Sequence, residues 1–338
     1  MARFADVLTI INGKNQKHVE NPNGKYPIYG SGGIMGYADD FICSGETVII
    51  GRKGNINKPI FVDVPFWNVD TAFGLSVKQN MLLPKYLFYF CEIFNFESLN
   101  TTVTIPSLTK ANLLDVEIPL PTLEKQREIV ITLDKCNDLI DLRKQQLAKL
   151  DESVKARFVE MFGDPICNRN KLPTERGVDF FKLSNGKFLP ESKRFESGIP
   201  AYGGNGISWY TDDAIMKEDT LVVGRVGFQS GNVHFAKGPL WITDNAMYIS
   251  EYNMGKFNLF FLYALMEHID FTRFQDAGDL KKVTQKPFMN MEYIMPALSQ
   301  QQEYVSFAKR SNKSKLTIQQ SLDKMEMLKK ALMQEYFE

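Results

Sequence analysis

The sequence predicts an α+β protein: two pseudo-repeated globular α/β domains joined by two long antiparallel coiled-coil helices. Three observations carry that reading. Short motifs recur at an offset near 173 residues, each copy runs through the same order of loops and β-branched segments, and each closes in a stretch with apolar residues at every seventh position. A chain of 338 residues has room for roughly two domains of ~150 residues, each with a real core.

The repeat comes first, because a long internal period decides the architecture. Asn12-Gly13-Lys14 returns as Asn185-Gly186-Lys187, Pro27-Ile28-Tyr29-Gly30 as Pro200-Ala201-Tyr202-Gly203, and Asp39-Asp40 as Asp212-Asp213. Gly51-Arg52 and Gly54 fall on Gly224-Arg225 and Gly227; with one residue of slippage, Trp67 and Asp70 fall on Trp241 and Asp244. Further on, Pro121, Gln126, Glu128 and Val130 match Pro296, Gln301, Glu303 and Val305. The period far exceeds a solenoid unit, so a whole domain with its trailing helix is duplicated. The expected boundaries are a first globular domain over 1–120, a first long helix over 121–163, a second domain over 164–295 and a second long helix over 296–338.

Within each copy the Gly-rich segments after Tyr29 and Tyr202 read as loops between strands. Thr47–Ile50 and Thr220–Val223 are short β-branched runs that end at Gly-Arg, as buried strands do, and Phe61–Val64 and Asn232–Phe235 read as the strands that follow. Aromatic helices are expected around Pro84 to Phe96 and Asn258 to His268.

The two long helices carry coiled-coil periodicity. Leu133, Ile140, Leu147, Val154 and Met161 recur at sevens, Cys136 and Leu150 add to the partner column, and Arg143 and Arg157 interrupt it. Gly163-Asp164-Pro165 stops that helix. In the second, Ile318, Met325 and Leu332 recur at sevens beside Leu322 and Leu328. A helix from Glu124 to Phe162 is about 58 Å long at ~1.5 Å per residue. Its stripe needs a cover. Antiparallel pairing of the two helices supplies one and creates a pseudo-twofold axis; the alternative folds each helix back on its own domain.

Composition narrows the function. Hydrophobic residues at 44% and charged ones at 24% fit a globular protein and exclude wholesale disorder. No apolar run approaches the ~20 residues of a membrane span, and Met1–Asp6 lack a signal-peptide core, so a cytoplasmic protein is expected. Cys43, Cys91, Cys136 and Cys167 are too scattered for a disulfide framework or zinc site. His18, His234 and His268 form no metal centre. Lys+Arg and Asp+Glu both number 40, so a nucleic-acid partner has to be argued from local clusters.

Catalytic signatures are sparse. Gly30–Gly36 lacks the lysine of a P-loop. Asn21-Pro22-Asn23-Gly24 resembles the tetrapeptide of amino-methylating DNA methyltransferases only superficially. One loose nuclease-like pattern, Asp179 with Glu191 and Lys193, is absent from the other copy, where His18 and Glu20 stand at the last two positions.

Polar, basic and aromatic residues on loops are the stronger signal. In Gly51–Lys58 the glycines allow close approach to a phosphate backbone; Arg52, Lys53 and Lys58 supply charge and Asn55 can address a base edge. Its counterpart carries Arg225, Gln229 and Asn232. Lys281, Lys282 and Gln285 form a further basic loop, set against the uncharged Thr101–Pro106 of the other copy. Asn205 lies in the second Gly-rich turn. Tyr29 and Tyr202, beside glycines, serve either as platforms for bases or in packing. Arg52 and Arg225 are either DNA contacts or ion-pair partners of the paired aspartates, and Trp67 and Trp241 read as core.

The ordered series Asn-Gly-Lys, Tyr-Pro-Ile-Tyr-Gly, Gly-Arg-x-Gly, Trp-x-x-Asp and Pro-x-Leu-x-x-Gln, duplicated and coupled to heptad helices, resembles the specificity (S) subunit of type I restriction–modification enzymes over essentially the whole chain. The resemblance implies that each globular unit is a target-recognition domain reading one half of a bipartite, asymmetric double-stranded DNA site. It implies a non-catalytic chain without a cofactor of its own. Two DNA-methyltransferase (M) subunits carrying S-adenosylmethionine would dock on the helices, and restriction (R) subunits would supply cleavage. The rival readings are a metal-dependent nuclease built on Asp179, Glu191 and Lys193, and a duplicated carbohydrate- or protein-binding module.

Overall fold

A computed structural model describes residues 1–100, 106–278 and 281–337. The chain divides into two compact units, Met1–Gln145 with Ile318–Glu338, and Gln146–Thr317.

The first unit opens with β1 (Ala2–Arg3) and the single turn α1 (Phe4–Val7). The strands β2 (Leu8–Asn12), β3 (Tyr26–Gly30), β4 (Gly33–Ala38), β5 (Thr47–Gly51), β6 (Ile60–Val62), β7 (Trp67–Asn68) and β8 (Ala72–Val77) follow. Then come α2 (Pro84–Ile93), α3 (Lys110–Leu114), β9 (Glu117–Ile118) and the long α4 (Leu123–Phe162). The strands form a four-stranded antiparallel sheet in the order β2-β8-β5-β6, a three-stranded sheet β4-β3-β7 whose β3–β7 pair is parallel, and the small pair β1-β9.

The second unit repeats this order. It contains β10 (Thr174–Arg176), β11 (Phe181–Asn185), β12 (Ile199–Gly203), β13 (Gly206–Thr211), β14 (Thr220–Gly224), β15 (Val233–Ala236), β16 (Trp241–Ile242) and β17 (Ala246–Tyr252). The chain continues through α5 (Leu259–Glu267), α6 (Gln285–Asn290), β18 (Glu292–Ile294) and α7 (Leu298–Phe337). Its sheets are β11-β17-β14-β15, β13-β12-β16 and β10-β18, each matching its counterpart in the first unit.

The β-branched runs sit where their composition requires. All five residues of β5 and all five of β14 are buried, as strands covered on both faces must be. Trp67 and Trp241 are core residues, and the repeat extends to their hydrogen bonds: one indole donates to the Lys14 carbonyl at 3.0 Å, the other to the Lys187 carbonyl at 3.1 Å.

The helix halves pack into the unit to which each belongs. In the first unit, Ile129 and Leu133 of α4 share a core with Met333 and Phe337 of α7, and Phe337 lies 5.0 Å from the Tyr86 ring. Lys144 pairs with Glu326 at 3.2 Å. In the second unit, Phe158 and Phe162 of α4 meet Tyr304 of α7 and Phe261 of α5. Arg157 pairs with Glu303 at 2.7 Å, and Lys315 pairs with Asp151. Rising numbers on α4 meet falling numbers on α7 in both units, so the pairing is antiparallel.

Of the heptad residues, Leu133, Ile140 and Leu322 are buried; Leu147, Val154, Ile318, Met325 and Leu332 are half-buried. Leu328, placed beside that column by its spacing, is instead 54% exposed. Gly163 ends α4 at φ +73°, its N–H bonded to the Val159 carbonyl, in the left-handed conformation that favours glycine. Among the described residues, no helix is long and apolar enough to cross a membrane.

Candidate nucleic-acid interface

The loops that follow β5 and β14 are built on one backbone plan. Arg52 N–H donates to the Thr71 carbonyl at 2.8 Å, and Arg225 N–H to the Asn245 carbonyl at 2.9 Å. Gly54 N–H donates to Pro106 O at 3.1 Å and Gly227 N–H to Lys281 O at 2.8 Å. Leu108 N–H returns to Arg52 O, and Val283 N–H to Arg225 O, both at 2.9 Å. Bridges join Lys53 to Ser107 and Val226 to Lys282. The Arg225 loop and the Lys281–Lys282 segment, read from sequence as separate basic loops, are therefore one surface. Of its first-unit counterpart, Thr101–Ile105 lie outside the described residues.

Glycine is required at the base of each loop. A Cβ on Gly51 would stand 2.3 Å from the Asn55 carbonyl oxygen, and one on Gly224 2.3 Å from that of Gly204. The Gly51 approach folds the loop on itself, with Ser31 Cβ of the β3–β4 turn 3.0 Å from that Cβ, whereas the Gly224 approach seats its loop against the β12–β13 turn. A Cβ on Gly32 would lie 3.7 Å from the Asn55 amide nitrogen.

On this scaffold Arg52, Lys53, Asn55 and Lys58 are exposed, as are Gln229, Asn232 and Lys282; Arg225 and Lys281 are half-buried. Among the described residues, neither Arg52 nor Arg225 forms an ion pair with a carboxylate. The Arg52 guanidinium stands 5.7 Å from the Phe73 ring centroid, and Arg225 donates to the Asp244 backbone carbonyl at 3.2 Å. The paired aspartates find other partners, Asn21 for Asp39 and Lys193 for Asp213.

Other candidates are placed differently. Tyr29 and Tyr202 are half-buried against the cores around Phe66 and Val222, and burial raises both phenols above their ordinary range. Each ring packs one side against its core. Gln285, at the start of α6, donates to the Asn185 side chain at 3.1 Å, so its amide is engaged within the fold. Asn205 is exposed in the turn between β12 and β13.

Sequence reasoning missed the outward faces of the hairpins. Ile34, Met35 and Tyr37 on β4, and Ile207 and Trp209 on β13, are all exposed, with Trp209 5.5 Å from the Arg194 guanidinium. The available signal was the repeated Ile34/Ile207 just beyond a Gly-rich turn. Polar residues inside strands usually reveal an outer face, and here apolar ones occupy it.

The nuclease-like residues do not assemble. Asp179 pairs with Arg176 at 3.4 Å and Glu191 with Arg194 at 3.9 Å, each within its own turn. Among the described residues, no group of three His, Cys, Asp or Glu is arranged to hold a metal.

One titratable group near the second hairpin gives a pH test. Burial lowers the His234 imidazole below its ordinary pKa, against a weaker opposing pull from Glu267. Its ring stands beside Gly206, and the first unit has Ile60 at the equivalent position, paired with Ile49 as His234 is with Val222. A depressed imidazole destabilises the fold once the unfolded chain protonates, so this loss is absent well above pH ~6.5 and grows as pH falls below it. The drop in melting temperature from pH 7.5 to 5.5 is expected to be smaller in His234→Ile than in the parent; equal drops would remove this role.

Comparison with known proteins follows the same duplication. The family described as the type I restriction modification DNA specificity domain matches residues 1–152 and again 177–326. S.HindORF215P of Haemophilus influenzae, described as a type I restriction enzyme specificity subunit, is 30% identical over 135 residues, covering 38% of this chain and 35% of the relative. The EcoprrI type I specificity subunit of Escherichia coli is 24% identical over 226 residues, covering 61% of this chain and 56% of the relative. The alignments thus span between a third and just over half of these relatives. In fold, the chain is similar to the type I restriction-modification S subunit of M. genitalium, with a TM-score of 0.67 at 16% identity, covering 100% of this chain and 95% of that one.

Proposed function

The chain belongs to the type I restriction modification DNA specificity domain family, and from that membership we propose that it reads a bipartite, asymmetric DNA site, one half per unit. The observation that carries the reading is the pair of equivalent loops. Their anchoring backbone hydrogen bonds match while their side chains differ, with exposed Lys53 and Asn55 in one and half-buried Val226 and exposed Phe228 in the other. A constant scaffold with variable side chains is what two diverged half-site readers need.

The role is recognition rather than catalysis. Methyl transfer, with its S-adenosylmethionine, is assigned to methyltransferase subunits, two per complex, and cleavage to restriction subunits. Exposed apolar residues on the long helices, among them Ile131 and Leu142 on α4 and Leu316 and Met327 on α7, support docking of those partners there. The neutral total charge fits an assembly in which partners share the phosphate contacts.

The test is replacement of Arg52 or Lys53 by Ala in the assembled complex. Binding to DNA carrying the cognate first half-site is expected to weaken by ~1–3 kcal/mol where a bidentate base contact is lost, with random DNA little affected. Equal losses on both DNAs, read by titration at fixed salt, would assign the residue to phosphate. Unchanged binding by both variants would remove this loop from the interface.

A further inference from the structure

Phe228 is 89% exposed, the highest value for any large hydrophobic residue among the described residues. A loose loop could tuck such a ring away; this loop is clamped. Gly227 N–H bonds to Lys281 O at 2.8 Å and Ser230 N–H returns to Gly227 O at 3.0 Å. The Gln275 side-chain amide donates to the carbonyls of Phe228 at 3.2 Å and Ser230 at 2.9 Å. The backbone therefore holds the ring outward, next to exposed Gln229 and on the same surface as Arg225, Lys281 and Lys282.

The repeat gives the position a meaning. Gly54 and Gly227 share a positive φ, +79° and +98°, and the same N–H partner position. The next residue is Asn55 in one unit and Phe228 in the other. Asparagine can pair with adenine N6 and N7, whereas an apolar ring on a major-groove edge has one complementary feature to meet, the thymine C5-methyl group. The cationic surroundings favour a polyanion over an apolar protein surface as the partner.

We propose that Phe228 is a specificity-determining residue that contacts a thymine methyl in the half-site read by the second unit. Asn55 is the hydrogen-bonding equivalent in the first. This rests on the DNA-reading assignment made above.

The experiment uses the full chain assembled with its methyltransferase subunits and duplexes whose site has been mapped by methylation. Each thymine of the second half-site is replaced in turn by uracil, which removes only the methyl group. The parent is expected to bind about fourfold more weakly at one such position, the worth of one buried methyl. Phe228→Ala should bind the thymine duplex weaker by a similar factor and be indifferent to uracil there, while Phe228→Leu keeps part of the discrimination. Thermal melting checks that the variants fold. Uracil-indifferent binding by the parent, or uracil sensitivity retained in Phe228→Ala, overturns the proposal while leaving DNA reading intact. A rise in 2-aminopurine fluorescence abolished by Phe228→Ala, without uracil sensitivity, would replace methyl contact by insertion between bases. A parent complex with no sequence preference would instead overturn the DNA-reading assignment itself.

Discussion

Replacing Gln126 by Ala is expected to destabilise the first unit by ~3 kcal/mol, because one fully buried amide satisfies three backbone groups. Its oxygen accepts from Leu83 N–H at 2.9 Å, and its nitrogen donates to the carbonyls of Met81 and Pro121, both at 2.9 Å. Gln301 repeats the arrangement with Asn258 N–H, Lys256 O and Pro296 O, at 2.9, 2.9 and 2.8 Å. Each glutamine ties the start of a long helix to the segment leading into the aromatic helix of the same unit. Both are 0% exposed, so neither is a surface available to a partner. For a unit of this size the loss should appear as a fall of about 6–12 °C in melting temperature. Gln126→Glu sharpens the test. At neutral pH a carboxylate keeps the bond from Leu83 N–H but faces two carbonyls with no proton to donate. Its pKa is therefore raised in the fold, and the variant should recover stability as pH falls toward the ordinary glutamate value of ~4.3. A melting temperature within 2 °C of the parent for Gln126→Ala would mean that water replaces the amide.

The same two glutamines show how far the sequence could be read. Their recurrence after Pro-x-Leu marked them as important, yet a capping role and a partner contact leave the same trace in sequence. The distinction depends on which backbone carbonyls are left over at the helix start, a tertiary fact. The duplication, the buried β-branched strands and the heptad helices were legible because each is a local pattern repeated twice. Leu328 was misplaced because, at position six of the repeat after Leu322, it turns off the buried stripe. Tyr29 and Tyr202 were ambiguous because a neighbouring glycine frees the backbone without saying which way the ring turns. Phe228 lies in the stretch that diverges between the copies, yet it is not singled out as a contact because an apolar residue in a loop ordinarily reads as packing. The bonds from Gln275 and to Lys281, both distant in sequence, hold its backbone with the ring in solvent.

Adding one heptad to each long helix is expected to change the spacing of the DNA site while leaving its two half-site sequences intact. The unit boundaries fall inside these helices, between Gln145 and Gln146 in α4 and between Thr317 and Ile318 in α7. Each helix therefore gives one part to each unit, and if the units read one half-site each, as proposed, the number of helical residues between those parts becomes a length standard. Insertions after Leu147 and after Leu322 keep the apolar columns in phase and lie near both the Lys144–Glu326 and Asp151–Lys315 pairs. Seven residues add ~10 Å of helix, about three steps of duplex at ~3.4 Å each. Three steps also turn the far half-site by about 100° at ~10–10.5 base pairs per turn. The helices do not supply that rotation, and twisting the DNA opposes it. The preferred gap should accordingly widen by one to three base pairs, the shortfall from three measuring how stiffly the assembly resists the turn. Methylation mapping of DNA modified by the assembled complex reads both quantities at once. An unchanged gap with both half-sites still recognised would show that the helices do not set the distance, and altered half-site bases would mean that they contribute to readout themselves.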